Sequence, residues 1–305
     1  MALKRKNEFQ SFENVKEIDI TPNEQEALRI KKIELYNPDV NDYMEINVGK
    51  ATVGYFPTAI NGNELFTFQS TGETNKNYFD TLKEHGLKLT YPVAAGEHFI
   101  AKFGSNVEKI KITYDVYDNE DVKPDSPNGS KSDTLTFMNI ITNSKEITES
   151  GYYTLDKSLN PKEMPDFPVD VVPPNFNIKI HSIGFLPVAV SVGDGTNTLG
   201  TSYTEYLRMF YKRQVLFDPN RAGFNVLADK TFTTTSTTKT YNYTELINDL
   251  PFIESENTKL TFFDNTLRFN EGDELNIQVK TVVDPDVTLE PEKILCYVLQ
   301  TISVK

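Results

Sequence analysis

Carboxylates are the residues of this chain whose grouping could do chemistry. Asp39 and Asp42 lie close together, and a second acidic group contains Asp115, Asp118 and Asp121. Carboxylate oxygens at such spacings suit Ca²⁺, which makes Asp115, Asp118 and Asp121 weak candidate ligands. Neither group has the spacing of a calcium-binding loop, and a strongly acidic chain forms such groups by accident. We therefore expect no metal site and no cofactor.

The candidate nucleophiles and bases are few and scattered. His85, His98 and His181 do not form a His-rich cluster, and Cys296 lies in a run that is apolar on both faces, where a thiol behaves as an inert hydrophobe. No phosphate-binding glycine loop, metalloprotease motif or nucleophile elbow occurs. Paired carboxylates could serve a glycosidase, but their separation cannot be obtained from sequence. We expect no catalytic residues and no enzyme.

Composition narrows the class of protein. The 305 residues suit two domains, and 20 Phe and 15 Tyr supply bulk for cores that favour β-strands. The net charge of −13 repels phosphate backbones, so we expect no direct binding of nucleic acid. A single cysteine excludes an intrachain disulfide framework. No apolar run has the length of a membrane span, and the start has no apolar signal region.

The elements that must position these residues are mostly strands. In the clearest one, Ile110, Ile112, Tyr114 and Val116 alternate with polar residues, which predicts an antiparallel strand with one buried face. Three short helices are also predicted from capping residues and apolar stripes, over residues 21–27, 74–86 and 243–250.

Short strings in the first half recur in the same order in the second. Arg29–Ile33 is echoed by Asn177–Ile180, Ile46–Gly49 by Val190–Gly193, and Lys88–Tyr91 by Lys259–Phe262. Five prolines between residues 160 and 174 predict a stiff connector between two similar halves. The predicted organisation is an N-terminal arm with a short helix (1–27), a first jelly roll (28–159), a proline-rich connector (160–175) and a second jelly roll (176–305).

The predicted fold is therefore all-β, with two tandem eight-stranded jelly rolls and one short helix inserted in each. This architecture, together with the polar arm, resembles the double jelly-roll major capsid proteins of tailless icosahedral bacteriophages that contain an internal membrane. Chain length and the Asn-, Lys- and Ile-rich composition resemble the flavobacterial lipid-containing phage type. The resemblance covers residues 28–304 and depends on architecture, because the family has no diagnostic short motif.

The resemblance implies a homotrimer whose six jelly rolls form a pseudo-hexameric capsomer that tiles an icosahedral shell. It also implies exposed loops, for which the candidates are residues 118–133, 193–204 and 229–240. The exposed-loop candidate residues are Asp118, Asp121, Gly195, Thr196, Thr234 and Thr235. Lys4, Arg5 and Lys6 would form an inward arm facing anionic lipid headgroups, or else an ordinary solvated terminus.

The leading hypothesis is a virion protein, made in the host cytoplasm, whose activity is self-assembly. Its expected partners are further copies of itself, other virion proteins such as a penton or spike, and the internal membrane. The alternative is a virion spike or receptor-binding protein, or a carbohydrate-binding β-sandwich, because exposed Thr-, Asn- and Gly-rich loops suit binding. An enzyme whose site is assembled from distant residues is the third hypothesis.

Overall fold

The computed structural model of the protein is all-β, as the alternation in the sequence predicts. Helical backbone in the part of the chain that it describes is confined to Phe79, Asp80 and Leu82. The structure describes residues 3–60, 63–66, 77, 79–80, 82, 89–118, 134–160, 165–186, 188–193, 198–211, 214–217, 225–233, 238–245 and 260–304.

The chain forms two compact units. The described residues up to 138, together with residues 301–304, belong to the first, and those from 139 to 300 belong to the second. The strands that lie in the first unit or begin there are β1 (Leu3–Ile20), β2 (Glu26–Tyr36), β3 (Tyr43–Val48), β4 (Ala51–Pro57), β5 (Ala59–Ile60), β6 (Asn63–Glu64), β7 (Tyr91–Val93), β8 (Phe99–Asp118) and β9 (Thr134–Thr142).

The second unit is also built from strands. These are β10 (Gly151–Thr154), β11 (Lys157–Ser158), β12 (Phe176–Leu186), β13 (Ala189–Gly193), β14 (Thr198–Tyr211), β15 (Gln214–Phe217), β16 (Asn225–Thr233), β17 (Thr238–Glu245), β18 (Leu260–Phe269), β19 (Leu275–Val282) and β20 (Leu295–Val304, of which residues 301–304 belong to the first unit).

Strand β8 is the centre of the first unit and forms its corner. Residues 99–103 pair with β3 and residues 109–118 pair with β2, while β1 follows the opposite edge along both parts. The β8 corner is the point between residues 103 and 109 at which this strand changes neighbours. The ring of Phe99 in β8 lies 6.0 Å from the ring of Tyr91 in β7. The predicted inward face of Ile110, Ile112, Tyr114 and Val116 is confirmed as buried.

The second unit contains two larger sheets. In one, β12 lies between β18 and β20, and in the other the order is β10–β19–β14–β13. Leu275, Ile277 and Val279 of β19 are buried and alternate with more exposed residues. Cys296 and its neighbours in β20 are buried on both faces, which confirms the prediction for this last strand.

The echoed strings lie in strands with corresponding partners. In the first unit β2 pairs antiparallel with β7, and in the second unit β12 pairs antiparallel with β18. These strands contain the first echoed string of each half. Of the third string they contain Tyr91 in the first half and residues 260–262 in the second, while Leu89 and Thr90 precede β7 and Lys88 and Lys259 lie outside the described residues. The second echoed string lies in β3, apart from Gly49, and in β13, and each of these strands forms a hairpin with the next strand. The units therefore share part of their pairing order.

The helix predicted over residues 21–27 is wrong. Residues 24–25 form a turn, closed by the hydrogen bond from the Glu26 amide to the Asn23 carbonyl, and β2 starts at Glu26. The strand prevails because Leu28 and Ile30 gain buried positions opposite Val116 and Tyr114 of β8. The N-terminal arm predicted over residues 1–27 is also different in the structure, because residues 3–20 form strand β1, which pairs with β8.

The other two predicted helices are only partly described. Phe79 and Leu82 are helical and buried, as predicted, whereas most of residues 74–86 lie outside the described residues. Tyr243, the first residue of the stripe over residues 243–250, lies in β17 and pairs with Ala228, so this residue is not helical. Residues 246–250 lie outside the described part.

The proline-rich segment is part of the second unit where it is described. Residues 165–175 form neither helix nor strand, as their prolines require. Phe167, which precedes Pro168 through a cis peptide bond, is fully buried, and its ring lies 4.7 Å from that of Phe269. Its carbonyl accepts hydrogen bonds from the side-chain amides of Asn139 and Gln300. The division between the units falls at residues 138 and 139 rather than in this segment.

Candidate functional site

The outward surface of β1, β8 and β2 carries ion pairs, all of them between strands except Lys32–Glu34 within β2, and we call it the ionic face. Opposite charges directly across antiparallel strands stabilise one register over others. Its pairs, with their N···O distances, are Lys4–Asp118 (3.0 Å), Arg5–Glu26 (3.2 Å), Lys31–Asp115 (3.2 Å), Lys32–Glu34 (3.4 Å), Lys102–Glu17 (3.5 Å), Lys109–Glu13 (3.8 Å) and Lys111–Glu34 (3.1 Å). Exposed pairs of this kind contribute little stability each, so their main effect is on specificity.

Two carboxylates of the ionic face are buried rather than exposed. Glu34 is 7% exposed and lies between the ammonium groups of Lys32 and Lys111. Asp115 is 6% exposed, and its Oδ1 accepts a hydrogen bond from the Asn7 amide of β1 at 2.8 Å. A buried carboxylate needs such partners, because desolvation disfavours its charge. Asp115 therefore has one partner on β1, the Asn7 amide, and one on β2, the Lys31 ammonium.

The predicted arm residues lie at the start of β1. Lys4 and Arg5 form ion pairs with carboxylates of this chain, and Lys6 is exposed. The calcium candidates Asp115 and Asp118 both contact lysines, and no group of three or more potential metal-ligating side chains is present among the residues described. The other predicted site residues lie outside the described residues: Asp121, Gly195, Thr196, Thr234 and Thr235.

The predicted exposed loops are shorter than their sequence ranges. Asp118 ends β8, and residues 119–133 lie outside the described part. Residues 198–204 belong to β14, so they are strand rather than loop, because they pair with β13. In the third range, residues 229–233 and 238–240 form two sides of the β16–β17 hairpin.

A second surface lies on the outward face of β10, β19 and β14, and we call it the aromatic–cationic platform. Tyr152 is directly opposite Lys280, and Arg208 is directly opposite Gln278. The Arg208 guanidinium carbon lies 3.4 Å from the centroid of the Tyr152 ring, and the Lys280 ammonium lies 5.1 Å from it. The Nε of Arg208 donates a hydrogen bond of 2.8 Å to Oε1 of Gln278, which fixes the guanidinium.

The platform concentrates positive charge on a chain of net charge −13. A fixed guanidinium and an ammonium above the same ring suit a carboxylate, sulfate or phosphate group. Because Arg208 covers one face of the Tyr152 ring, this face is closed to a stacking sugar. The arrangement can therefore bind an anionic group by charge and hydrogen bonding.

The titratable residues considered as nucleophiles or bases have other roles where they are described. Burial and, to a smaller extent, the charge of Lys179 together lower the pKa of His181 to about 4, while burial raises the pKa of the Cys296 thiol. His98 Nδ1 contacts the Asp19 carboxylate at 2.9 Å and the Thr21 hydroxyl at 3.0 Å. A hydroxyl–histidine–aspartate triad requires both ring nitrogens, so this cluster does not have triad geometry. His85 lies outside the described residues.

Sequence reasoning missed the platform. Tyr152, Arg208 and Lys280 come from three strands, two of which are far from the third in sequence. Alternation is the sequence pattern that could have identified Arg208 as an outward residue, because the buried residues Leu207 and Met209 flank it. Alternation could have predicted the outward position of Arg208 but not its partners.

Neither a protein-family model nor a curated protein matches the chain. Among the residues that the structure describes, no helix is long and apolar enough to cross a membrane. The candidate function therefore rests on the two surfaces and on the architecture that presents them.

Proposed function

We propose that this chain is a structural viral protein, a major capsid protein of the double jelly-roll type. Three copies would form a pseudo-hexameric capsomer, and capsomers would tile an icosahedral shell over an internal membrane. The observation that carries the proposal is the corresponding antiparallel pairing, β2 with β7 and β12 with β18, in two successive all-β units. Two similar units per chain allow three copies to present six similar positions around one axis.

The ionic face is compatible with contact between copies of this chain. The ionic face combines charges of both signs, so copies of an acidic chain can approach there without concentrated repulsion. The proposed partners are further copies of this chain, a penton or spike protein, and the internal membrane, in a virion made in the host cytoplasm. Direct contact with the genome is not part of the proposal.

The native mass of the purified protein tests this function. We expect a trimer of about 104 kDa, three times the subunit mass of 34.7 kDa, which forms sheets or shells on concentration. Sedimentation velocity would measure the mass, and electron microscopy would show the lattice. A stable monomer that forms no lattice at any concentration would exclude a capsid protein.

The aromatic–cationic platform favours a second candidate, a spike, receptor-binding or carbohydrate-binding protein that recognises anionic glycans. Replacing Arg208 and Lys280 together by Gln should abolish binding to sulfated or sialylated glycans on an array. The matched control replaces Lys179 and Arg268, which face each other on β12 and β18, and should keep binding. Absence of any glycan signal for the wild-type protein at millimolar concentration would exclude this candidate.

A further inference from the structure

The first part of β1 is held on β8 almost without burial. Between Leu3 and Glu17 every side chain is exposed or half-buried, and Phe9 is 61% exposed. Only Ile18 and Ile20, at the far end of the strand, are buried. Within the described chain, β1 pairs with β8 alone. Residues 3–13 are therefore held by backbone hydrogen bonds and exposed ion pairs, which are individually weak.

The backbone divides β1 into two segments. The register with β8 shifts between Val15 and Glu17, and Asn14 has a positive φ of 53°. Two further shifts lie between Leu3 and Glu8, where Asn7 has a positive φ of 56°. On the β8 side the shift coincides with the corner, because the partners jump from Lys102 to Val107. The extra residues of this irregularity, 103–106, lie on β8, and the ladder between the two strands is interrupted beside residues 15–17 of β1. Residues 14–16 therefore separate an exposed segment, 3–13, from the anchored residues 17–20.

The ion pairs that join the exposed segment to the rest of the chain have their partners on β8 and β2, and the Lys4 ammonium also donates a hydrogen bond to the Gln25 carbonyl just before β2. Lys4 contacts Asp118, Arg5 contacts Glu26, and Glu13 contacts Lys109. A second copy of the chain offers the same partners in the same register. The contacts of this segment have the same strength whether its partners belong to the same chain or to a second copy. Exchange of the segment therefore requires only that the backbone takes a different direction at the hinge.

The position left by the segment must be refilled. Without residues 3–13, the Asn7 amide no longer donates to Asp115, and the edge of β8 is exposed over residues 109–117. A buried carboxylate that keeps Lys31 but loses its backbone donor is unfavourable, and so is an open strand edge. The equivalent segment of a second copy restores both contacts with the partners that they have within one chain.

We infer that residues 3–13 exchange between copies of this chain, each segment pairing with β8 of a neighbouring copy through a hinge at residues 14–16. This inference rests on the proposed self-assembly and specifies one of its contacts. In an assembled oligomer, the exchanged segments would link the copies by strand pairing in addition to surface contact.

Two matched cysteine pairs test the exchange. Glu13 is directly opposite Lys109, and Glu17 is directly opposite Lys102, so the double variants E13C/K109C and E17C/K102C remove one exposed ion pair each. Directly opposite residues in an antiparallel ladder have Cα separations that a disulfide can span. The native Cys296 is fully buried and does not compete. The oxidised oligomer is analysed by non-reducing denaturing electrophoresis.

Exchange predicts covalent multimers for E13C/K109C and single-subunit bands for E17C/K102C, which lies beyond the hinge. Single-subunit bands for both variants in an intact oligomer would overturn the exchange and leave the proposed function standing. Multimers for both would overturn the hinge at residues 14–16, and with it the inference. A protein that forms no oligomer would overturn both the exchange and the proposed function.

A charge-reversal experiment applies if the cysteine variants do not fold. E13K and K109E each place like charges opposite one another in a homogeneous sample, and mixing the two restores opposite charges only between copies. Exchange predicts that the mixture contains at least about twofold more oligomer than either variant alone. An oligomer fraction that mixing leaves unchanged would show that the segment pairs within its own chain.

Discussion

Asp42 shows how one carboxylate organises the β8 corner at the scale of single residues. Its Oδ1 accepts a hydrogen bond from the Gly104 amide at 2.8 Å, and its Oδ2 accepts bonds from the amide and hydroxyl of Ser105 at 2.7 and 2.9 Å. A Cβ on Gly104 would lie 2.1 Å from the same Oδ1. Glycine is therefore required here by close approach, and the carboxylate takes the place of a strand neighbour.

The pairing of Asp42 with Gly104 predicts non-additive substitutions. D42A should lower the free energy of unfolding by about 2 kcal/mol, because backbone donors lose their acceptor. G104A should cost about 1–2 kcal/mol in the wild-type background, through displacement of Asp42, and close to nothing in the D42A background. Urea unfolding of the four proteins measures the coupling, and strictly additive costs would contradict it. D39A serves as the control, because it removes the carboxylate that accepts one hydrogen bond, from the Asn41 amide.

His181 predicts a stability that depends on pH. Burial is the main cause that lowers its pKa from 6.5 to about 4, so between these values the unfolded chain binds more protons than the folded one. The free energy of unfolding therefore rises with pH over this window, and about 3 kcal/mol is lost as the pH falls from 6.5 to 4. H181N should flatten this dependence in urea unfolding from pH 4 to 7. H98N, at an exposed histidine, should keep it, and equal curves for H181N and wild type would refute the assignment.

At the scale of elements, the proline-rich segment behaves as core. Phe167 is fully buried against Phe269, whereas Val171 in the same segment is 41% exposed. F167A should destabilise the protein by about 3–5 kcal/mol, because it leaves a cavity, while V171A should have an effect within about 0.5 kcal/mol. Chemical unfolding of both variants measures the difference. Similar costs for the two would mean that the segment is a solvated linker.

At the scale of the whole molecule, net charge controls association. Each copy carries −13, so copies repel one another over distances comparable with the screening length. Raising NaCl from about 0.1 M to about 1 M shortens this length from about 10 Å to about 3 Å. We expect the oligomer fraction of the proposed capsomer to rise with salt in sedimentation velocity. A fraction that falls with salt would show that ion pairs between copies outweigh the net repulsion.

Local patterns in the sequence were enough to predict some of the secondary structure. Alternation along residues 110–116 and the apolar run of β20 were sufficient to predict strands and their buried faces, because side chains of a strand alternate with a period of two. The prolines of residues 165–175 likewise excluded regular structure. Composition alone indicated an acidic, β-rich chain.

Tertiary structure decided what depends on distant partners. The capping signal at residues 21–27 lost to strand β2, because β8 offers buried positions to Leu28 and Ile30. The platform exists only because β19 lies between β10 and β14 and brings Lys280 and Arg208 to Tyr152. By itself the sequence determined the β-rich class and the strands with clear alternation or apolar runs, whereas strand pairing decided the structure of residues 3–27 and which strands meet. The reason is that strand pairing joins residues far apart in the chain, and alternation along one strand carries no information about its neighbour.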